Sequence, residues 1–404
     1  MPGSGLEALA HGAVLSPFTR TRRLLEGVQP GNAKAIELTI GDPREAMPAF
    51  TPDKMSDAKD LLASYPKIRG SDELRGAIAA WIGRRFDMAG GIDPNGEILP
   101  VNGSREGLFF AAFPAAGRKS VAGRPAMLVV NPFYQAYLGA AYATNCEPIF
   151  LNATAETGHL PDIDALERDE DLLARTVGFY LCSPANPQGA VASPAYLAKA
   201  LALARAYDFM LFLDECYSEI YTQDAPIGGL QIAAGTPERF KNLVVFNSLS
   251  KRSNLPGLRS GFAAGDPVFL ETLAEIRNMT APTMPGPVQH ASAAVWSDEQ
   301  HVTAIRQAYR KKFDVCDELL AGRFGYRRPA GGFFLWLDAN RLGGAEDAAL
   351  TIWKHCGVRV IPGAYLAEPD RRGINPGASY VRAALVEDAA TIREALQRIV
   401  EFTA

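Results

Sequence analysis

The stretch of sequence that decides the fold is Asn247-Ser248-Leu249-Ser250-Lys251-Arg252-Ser253-Asn254-Leu255-Pro256-Gly257-Leu258-Arg259-Ser260-Gly261-Phe262. One lysine, Lys251, lies between small hydroxyl residues, and Arg259 follows it among glycines. Small polar neighbours allow a lysine amine to reach an aldehyde carbon, and hydroxyls together with a guanidinium bind phosphate. The pattern therefore indicates a lysine that bonds covalently to a phosphorylated aldehyde, although a Ser/Lys/Arg/Gly run is also typical of a solvated loop.

The segments before this stretch favour a ligand site over a plain loop. Leu243–Phe246 has the apolar pattern of a short buried strand and leads directly into the lysine segment. A second apolar run, Phe209–Leu213, ends in Asp214. Because ligands bind at the loops that follow the strands of an open α/β sheet, we expect Lys251 and Asp214 to share one site. Pyridoxal phosphate is the cofactor whose chemistry requires such a lysine, and we predict that it binds here.

The composition is that of a globular enzyme built from two structural units. The chain has 404 residues, 48% hydrophobic and 21% charged, which is longer than one simple core normally holds. The net charge of -4 and the lack of a basic stripe argue against nucleic acid as a partner. Scattered cysteines without a C-x-x-C pair predict neither a disulfide framework nor a metal site. No signal-peptide pattern or run of ~18 apolar residues is present, so we expect a cytoplasmic protein with no membrane contact.

Apolar runs that alternate with helical ones predict the larger part of the fold. Helices are predicted at Ser71–Phe86, from its apolar spacing, and at Pro194–Tyr207, from its capping residues. This alternation is typical of an α/β protein with a mostly parallel sheet and helices on both faces. The predicted strands are Ala126–Val130, Pro148–Leu151, Val177–Leu181, Met210–Leu213 and Leu243–Phe246.

The pattern changes after residue 285, where a smaller α+β domain is expected. Long helical stretches at Val288–Ala321 and Ala389–Phe402 flank two apolar runs, Phe333–Leu337 and Val381–Leu385. The Pro-rich stretch Ala281–Pro287 is the expected hinge. The predicted division is a large cofactor domain over residues 46–285, and a small domain over residues 286–404 joined by an N-terminal arm, residues 1–45.

Four residues suit the ring of the cofactor. The ring nitrogen needs a carboxylate to stay protonated, and Asp214 can supply it, with a helix N-cap as the alternative interpretation. Asn186 and Tyr217 can donate to the 3-oxygen of the ring, although Asn-Pro and Gln-Gly near Asn186 are also ordinary turn pairs. Tyr134 can stack on the ring face, although a lone tyrosine is more often a core aromatic.

The phosphate group requires hydrogen-bond donors and a helix N-terminus. Gly103-Ser104-Arg105 provides a glycine turn and a hydroxyl at the start of a helical run. Free backbone N–H groups and the helix dipole favour an anion there, although a Gly-Ser pair before a helix also signifies simple capping. Ser248, Ser250 and Arg259 would complete the phosphate site, with Arg259 giving a charge-assisted contact.

In combination, these residues resemble the fold-type I PLP-dependent aminotransferases of the aspartate aminotransferase superfamily, class I/II. The resemblance covers nearly the whole chain and rests on the order of the motifs, because each motif alone is weakly specific. It implies a large α/β domain with a mostly parallel sheet, a smaller α+β domain and a homodimer with shared active sites. The motifs in chain order are Gly41 in Ile40-Gly41-Asp42-Pro43, Tyr65 before Gly70, Gly103-Ser104, Tyr134, Asn186-Pro187, Asp214-x-x-Tyr217, Ser248-x-x-Lys251, Arg259 and Arg382.

The same resemblance assigns roles to the matched positions. Lys251 is implied to be the catalytic lysine, which binds the cofactor aldehyde and then moves a proton between the substrate α-carbon and the cofactor. Arg382 is implied to bind the substrate α-carboxylate, with Gly41 and Asn186 also in the substrate site, whereas outside this context Arg382 would be interpreted as a surface arginine. Tyr65 is implied to reach the phosphate held by the neighbouring subunit. The implied cofactor-binding residues are Gly103, Ser104, Arg105, Tyr134, Asn186, Asp214, Tyr217, Ser248, Ser250, Lys251, Arg259 and Tyr65.

Three segments, residues 40–43, 131–152 and 248–262, are similar to the succinyldiaminopimelate aminotransferases of bacterial lysine biosynthesis. This similarity implies the exchange of an amino group between glutamate and N-succinyl-2-amino-6-ketopimelate. Two dicarboxylic partners of different length require a second cation for the distal succinyl carboxylate. The candidates are Arg105 and Arg22 or Arg23, each of which is also interpretable as a surface arginine.

Other functions remain open from the sequence. One is another class I/II aminotransferase that acts on acetylornithine-like, alanine or aromatic substrates. A second is a PLP-dependent C–S lyase, which would use Lys251 and Asp214 for elimination. A non-enzymatic role as part of a transcription regulator is disfavoured, because residues 1–45 are too short and too rich in Pro and Gly for a helix-turn-helix.

Overall fold

The structure is a computed structural model that describes residues 15–88 and 90–403. Residues 1–14 of the predicted arm, Ala89 and Ala404 lie outside the described residues. The strands are β1 (Ile36–Glu37), β2 (Ile98–Val101), β3 (Ala126–Asn131), β4 (Glu147–Asn152), β5 (Thr176–Cys182), β6 (Met210–Asp214), β7 (Leu243–Ser248), β8 (Gly261–Gly265), β9 (Phe334–Asp338), β10 (Val358–Arg359), β11 (Ile361–Pro362) and β12 (Tyr380–Ala384). The α-helices span Pro17–Leu24, Thr51–Asp57, Asp72–Phe86, Ser104–Ala116, Gln135–Ala143, Ile163–Glu167, Glu170–Arg175, Pro194–Ala206, Gly229–Ala234, Leu249–Arg252, Pro267–Thr280, Gly286–Ser297, Gln300–Leu320, Ala345–Cys356 and Ala389–Phe402.

A seven-stranded sheet in the order β2-β8-β7-β6-β5-β3-β4 forms the centre of the larger domain. The strands from β7 to β4 are parallel, whereas β8 is antiparallel to both β7 and β2. Alternate residues of β6 enter two different apolar clusters, because successive side chains of a strand point to opposite faces of the sheet. The predicted α/β fold with a mostly parallel sheet is confirmed, and each predicted large-domain strand is present with one or two more residues.

Both helices predicted for the larger domain are present, and a serine caps each of them. The side chain of Ser71 accepts a first-turn backbone N–H of helix Asp72–Phe86, and Ser193 does the same for helix Pro194–Ala206. A serine cap of this kind stabilises a helix by about 1 kcal/mol. Local sequence therefore fixes where these helices begin, while their buried apolar faces hold them on the sheet.

The smaller α+β domain is built on an antiparallel sheet in the order β11-β12-β9. A separate cluster of buried apolar side chains joins this sheet to helices Ala345–Cys356 and Ala389–Phe402. The arm contributes β1, which pairs with β10 in parallel, so the described part of the arm packs with this domain. No helix in the described part of the chain has the length and apolar content needed to span a membrane.

The helical stretch predicted at Val288–Ala321 is present as two helices, which are separated by Asp298 and Glu299. The first, Gly286–Ser297, packs its Val295 and Trp296 side chains into the core of the larger sheet. The second begins at Gln300, where the Asp298 carboxylate accepts the backbone N–H of His301. The division at residue 285 remains a prediction, and this packing favours a boundary after Ser297 instead.

The carboxyl ends of the parallel strands bring several predicted site residues to one edge of the sheet. β3 leads into Tyr134, β5 into Asn186 and β7 into Lys251, while Asp214 is the last residue of β6. β6 and β7 are neighbours in the middle of the strand order, so Asp214 and the segment that carries Lys251 follow adjacent strands at this edge. This is the edge at which open α/β sheets bind ligands.

Candidate active site

Lys251 lies between the two domains, on the short helix Leu249–Arg252 that follows β7. Its Nζ atom donates a hydrogen bond to the carbonyl oxygen of Gly41, which belongs to the N-terminal arm. The same atom lies 5.4 Å from the centre of the Phe333 ring, in the segment that enters β9. The lysine therefore emerges from the large sheet and contacts the arm and the smaller domain.

The surroundings of Lys251 favour the neutral form of its amine. Burial lowers the pKa of Lys251 to about 8, with the Arg382 and Arg105 charges acting in the same direction and Asp42 opposing them. A lysine with this pKa carries a substantial fraction of free amine at mildly alkaline pH. A free amine is the form that attacks a carbonyl carbon or accepts a proton from carbon.

Asp214 is a buried carboxylate whose hydrogen bonds come from neutral donors. It is 5% exposed, and it accepts hydrogen bonds from the Tyr137 hydroxyl at 2.7 Å and from the Cys216 backbone N–H at 3.2 Å. Burial raises the pKa of Asp214, and among residues 15–88 and 90–403 no lysine, arginine or histidine forms an ion pair with it. The segment after Asp214 is a turn, so the alternative interpretation of a helix N-cap is wrong.

Tyr134 and Tyr137 form the aromatic side of the site. Their ring centres lie 5.6 Å apart in an edge-to-face arrangement, and Arg105 donates from Nε to the Tyr134 hydroxyl. Phe133, the neighbouring aromatic, stacks on Phe150 in the core at 5.4 Å. This packing supports Tyr134 over Phe133 as the side chain that would cover a bound ring.

Tyr137 was missed by the sequence prediction. It lies one helical turn from Tyr134, so helical spacing gives the only sequence signal for its position beside the site. Its ring stacks on Tyr180 at 4.8 Å, and its hydroxyl donates to Asp214. No sequence motif relates Tyr137 to an acid 77 residues away, because the contact depends on the packing of helix Gln135–Ala143 on the sheet.

The predicted phosphate residues converge where β7, β8 and β2 lie side by side. Gly103 has φ +77° and precedes the helix that begins at Ser104, and a Cβ at Gly103 would lie 2.4 Å from Nη2 of Arg259. Arg259 donates from Nη2 to the Asn102 carbonyl at 3.0 Å. The β-sheet register places Ser248 opposite Gly261, and the Ser248 and Ser250 hydroxyls lie 2.9 Å apart.

This arrangement combines three kinds of donor at one point. The helix N-terminus presents backbone N–H groups, the two serines present hydroxyls, and Arg259 presents a guanidinium. An anion bound there would meet charge-assisted and neutral hydrogen bonds together.

Arg382 is a buried cation in the middle of β12, so its interpretation as a surface arginine is wrong. It is 4% exposed and donates to Asn186 Oδ1 at 3.2 Å and to the Thr39 carbonyl at 2.6 Å. Its guanidinium carbon lies 4.4 Å from the centre of the Phe334 ring. Burial lowers the pKa of Arg382 to about 10, and its Nε has no hydrogen-bond partner among the described residues.

Two further predicted residues lie in the same cluster, Gly41 in contact with Lys251 and Tyr217 near Arg382. Burial raises the pKa of Tyr217, and the nearby charge of Arg382 opposes this shift. A Cβ at Gly41 would lie 2.7 Å from the Phe334 ring, so this position cannot accept a larger residue without a shift of the ring. The two predicted residues thus line the same space from opposite domains.

Tyr65, Arg22 and Arg23 are the predicted residues that the single chain does not bring into this cluster. Tyr65 is 98% exposed, and Arg22 and Arg23 are exposed on helix Pro17–Leu24. Arg105 does join the cluster, through Tyr134 and through its effect on the pKa of Lys251.

Two structural observations indicate that these residues can bind pyridoxal phosphate. Asp214 is a buried acid whose described partners supply no positive charge, and a protonated ring nitrogen would supply it. Gly103 lies at a helix N-terminus where a Cβ would clash with the Arg259 guanidinium, so the backbone N–H groups and Arg259 lie close enough together to bind one phosphate group.

The fold and the site together define a PLP-dependent enzyme of fold type I. The sequence profile of the family described as aminotransferase class I and II matches residues 33–399, and the chain belongs to this family. Among its relatives, an LL-diaminopimelate aminotransferase of Syntrophobacter fumaroxidans is 28% identical over 388 residues, which are 95% of each chain. An aminotransferase crystal structure from Neisseria meningitidis superposes with a TM-score of 0.91 at 38% identity, covering 96% of this chain and 98% of that one. A probable N-succinyldiaminopimelate aminotransferase of Thermus thermophilus has a TM-score of 0.81 at 25% identity, with 96% and 100% covered.

Proposed function

We propose that this aminotransferase exchanges an amino group between glutamate and N-succinyl-2-amino-6-ketopimelate, a reaction of lysine biosynthesis. The observation that carries the proposal is a pair of arginines, buried Arg382 and exposed Arg105, at different depths of the Lys251 site. Two relatives act, by their names, on diaminopimelate or its succinyl derivative, which supports the same substrate class.

The residues of the site have distinct parts in this reaction. Pyridoxal phosphate, when bound, supplies a carbonyl carbon that condenses with amines and a ring that accepts an electron pair. Asp214 would keep the ring nitrogen protonated, Tyr217 and Asn186 would bind the ring oxygen, and Tyr134 would cover the ring face. The amine of Lys251 would hold the cofactor and then take the proton from the substrate α-carbon, for which its lowered pKa suits it.

The two substrates differ in length but share an α-carboxylate. Arg382 presents its guanidinium beside Asn186, and a bidentate contact from it would fix the α-carboxylate of either substrate. Arg105 lies at the exposed side of Tyr134 and is the candidate for the distal succinyl carboxylate. Arg22 and Arg23 have less support, because both are exposed and neither bonds to a site residue within the described part of the chain.

Free LL-diaminopimelate is the second candidate substrate. The relative from Syntrophobacter fumaroxidans matches 95% of both chains and is named for that compound. Free diaminopimelate carries an ammonium where the succinylated substrate carries an amide and a carboxylate. A carboxylate near Lys251, that of Asp42, would favour such an ammonium.

An assay with 2-oxoglutarate as the acceptor separates these functions. Purified enzyme is given N-succinyl-LL-diaminopimelate, LL-diaminopimelate, N-acetylornithine, alanine or an aromatic amino acid, and glutamate formation is measured. We expect the largest kcat/KM with the succinylated compound. A larger value with any other donor would replace the proposed substrate, and release of pyruvate and ammonia from cystathionine would indicate a C–S lyase.

We expect Arg382→Ala to raise KM for both partners of the reaction. The change removes a buried charge that would bind the common α-carboxylate, at a cost in kcat/KM of about 2–5 kcal/mol. Steady-state kinetics with glutamate and with the succinylated substrate measure the effect. Arg393→Ala, which removes an exposed arginine paired with Glu318, is the control and should leave both KM values unchanged. Unaltered KM values in the Arg382 variant would refute its role.

We also propose a homodimer in which Tyr65 reaches the phosphate held by the partner. The almost complete exposure of Tyr65, next to exposed Leu61 and Leu62, supports this arrangement. Sedimentation of an active monomer at assay concentrations would contradict it.

A further inference from the structure

A chain of hydrogen bonds begins two residues after Lys251 and ends in the linker between two helices. The Ser253 hydroxyl lies 2.8 Å from Nε2 of His301, and Nδ1 of His301 bonds to the Asp298 carboxylate. The order of groups is that of a hydrolase triad, but Ser253 is 0% exposed, so no substrate can reach its oxygen. These hydrogen bonds therefore hold segments of the protein together and do not activate Ser253 toward a substrate.

Arg252, the residue between Lys251 and Ser253, forms hydrogen bonds to the same linker. Its guanidinium donates to the Glu299 carboxylate at 2.6 Å, to the Asp298 carbonyl at 3.1 Å and to the Ser253 hydroxyl at 3.1 Å. The side chain is fully buried. A buried guanidinium with this many fixed acceptors has little freedom to move.

Two tryptophans enclose the Arg252 guanidinium. Its central carbon lies 4.9 Å from the Trp296 ring centre and 5.6 Å from that of Trp81. Trp296 is on helix Gly286–Ser297, directly before the linker that contains Asp298 and Glu299. The segment that carries Lys251 is thus held to the point where the chain passes into helix Gln300–Leu320.

Burial lowers the pKa of His301, which favours the neutral ring. In the neutral ring, Nε2 can accept the Ser253 hydroxyl hydrogen while the Ser253 oxygen accepts from Arg252. Nδ1 then carries the ring hydrogen and donates it to Asp298. A proton added at Nε2 would displace the serine hydrogen and place a second cation beside Arg252.

We propose that His301 is a positioning residue for Lys251. Asp298 orients the His301 ring, which accepts a hydrogen bond from the Ser253 hydroxyl. Together with Arg252, His301 holds helix Leu249–Arg252 against the linker that contains Asp298 and Glu299. The amine of Lys251 is thereby kept in place by contacts on the far side of its own helix. The inference rests on Lys251 being the reacting lysine and does not depend on the identity of the substrate.

This placement makes the position of Lys251 sensitive to acid. Burial lowers the pKa of His301 below its usual 6.5, with the charge of Arg252 acting in the same direction and Asp298 and Glu299 opposing it. Because the folded pKa lies below the unfolded one, the contribution to stability is present above pH 6.5 and is lost as the pH falls through the folded pKa. The N-terminal position of His301 in its helix also disfavours a positive charge.

The test compares His301→Gln with His301→Phe. Glutamine can still accept from Ser253 and cannot titrate, whereas phenylalanine fills the space and cannot accept. The first measurement is the rate at which pyridoxal phosphate attaches to Lys251 in the apoprotein, trapped with borohydride and located by peptide mapping. We expect His301→Phe to slow attachment about 10–100-fold, as small misplacements of a reacting group do. We expect His301→Gln to stay near the wild-type rate at pH 8.

Further readouts separate positioning from general destabilisation. In the amino-donor reaction with glutamate, His301→Phe should lower kcat and leave KM unchanged, since Arg382 is untouched. The fall in apoprotein melting temperature between pH 8 and acid should be smaller in His301→Gln than in wild type. His290→Phe and His290→Gln are matched controls, because His290 also pairs with an acid, Glu73, but has no contact with the Lys251 segment.

The outcomes decide the proposal directly. Equal attachment rates in wild type and His301→Phe would overturn it, as would a His301→Gln variant that is as slow as His301→Phe. If His301→Phe does not fold, Ser253→Ala replaces it, since that change removes the oxygen between His301 and Arg252. Borohydride labelling of another lysine in the wild type would overturn both this proposal and the role of Lys251, whereas a different preferred substrate would affect the proposed function alone.

Discussion

Replacing Lys251 with alanine is expected to abolish amino transfer and the covalent attachment of the cofactor. The variant loses the amine that would bond to the cofactor and take the α-proton, and the other described cations of the site, Arg105, Arg259 and Arg382, are guanidiniums that cannot do so. We expect the turnover number to fall at least about a thousandfold, the combined effect of a lost nucleophile and a lost general base. Glutamate turnover and the visible absorbance of the bound cofactor measure the two losses separately.

The control for this prediction lies at the other end of the same strand. Lys241 is exposed just before β7 and pairs with Glu238, so Lys241→Ala should retain full turnover and absorbance. Borohydride reduction followed by peptide mapping should label position 251 in wild type and in the control, and nothing in Lys251→Ala. Normal turnover in the Lys251 variant, or a label at another lysine, would remove the basis of the proposed site.

The buried strands could be predicted because each is a short apolar run with a polar residue at its end. Phe209–Leu213 ends in Asp214, and Leu243–Phe246 leads to Lys251, so the sequence itself marks the edge at which ligands bind. Parallel pairing of β6 and β7 then brings the ends of both strands to the same edge of the sheet. The position of the site follows from local pattern and from a general rule of sheet topology.

Contacts between distant side chains could not be predicted in the same way. Tyr137 reaches Asp214 through the packing of helix Gln135–Ala143, and His301 reaches Ser253 through the position of helix Gln300–Leu320, and neither arrangement can be deduced from local pattern. The break between the two helices at Asp298 and Glu299 was not predicted, and the burial of Trp296 just before it is a tertiary contact that local pattern does not show. The surroundings of Tyr65 could not be predicted from local sequence either, since its proposed role depends on a second chain.

We expect Asp214→Ala to leave the cofactor loosely bound and to reduce turnover about 10²–10³-fold or more. The carboxylate is buried, and pairing with a protonated ring nitrogen would stabilise both groups, so removal of one partner of such a pair costs about 3–5 kcal/mol. Asp214→Asn should behave similarly, because it keeps the shape and loses the charge that holds the ring proton. Equilibrium binding of pyridoxal phosphate and single-turnover rates with glutamate measure the effect.

Tyr137→Phe separates the charge of Asp214 from its hydrogen bond. The change removes a donor to the carboxylate and keeps the aromatic packing on Tyr180. We therefore expect the binding free energy of pyridoxal phosphate to weaken by about 1.5–3 kcal/mol, the usual range for a hydrogen bond to a charged group. The Asp214 variants should therefore be more impaired than Tyr137→Phe. The reverse order, or full activity in Asp214→Ala, would mean that the acid serves only to accept the Tyr137 and Cys216 hydrogen bonds. The ring nitrogen would then need no carboxylate from this chain, and Asp214 would have no part in the chemistry.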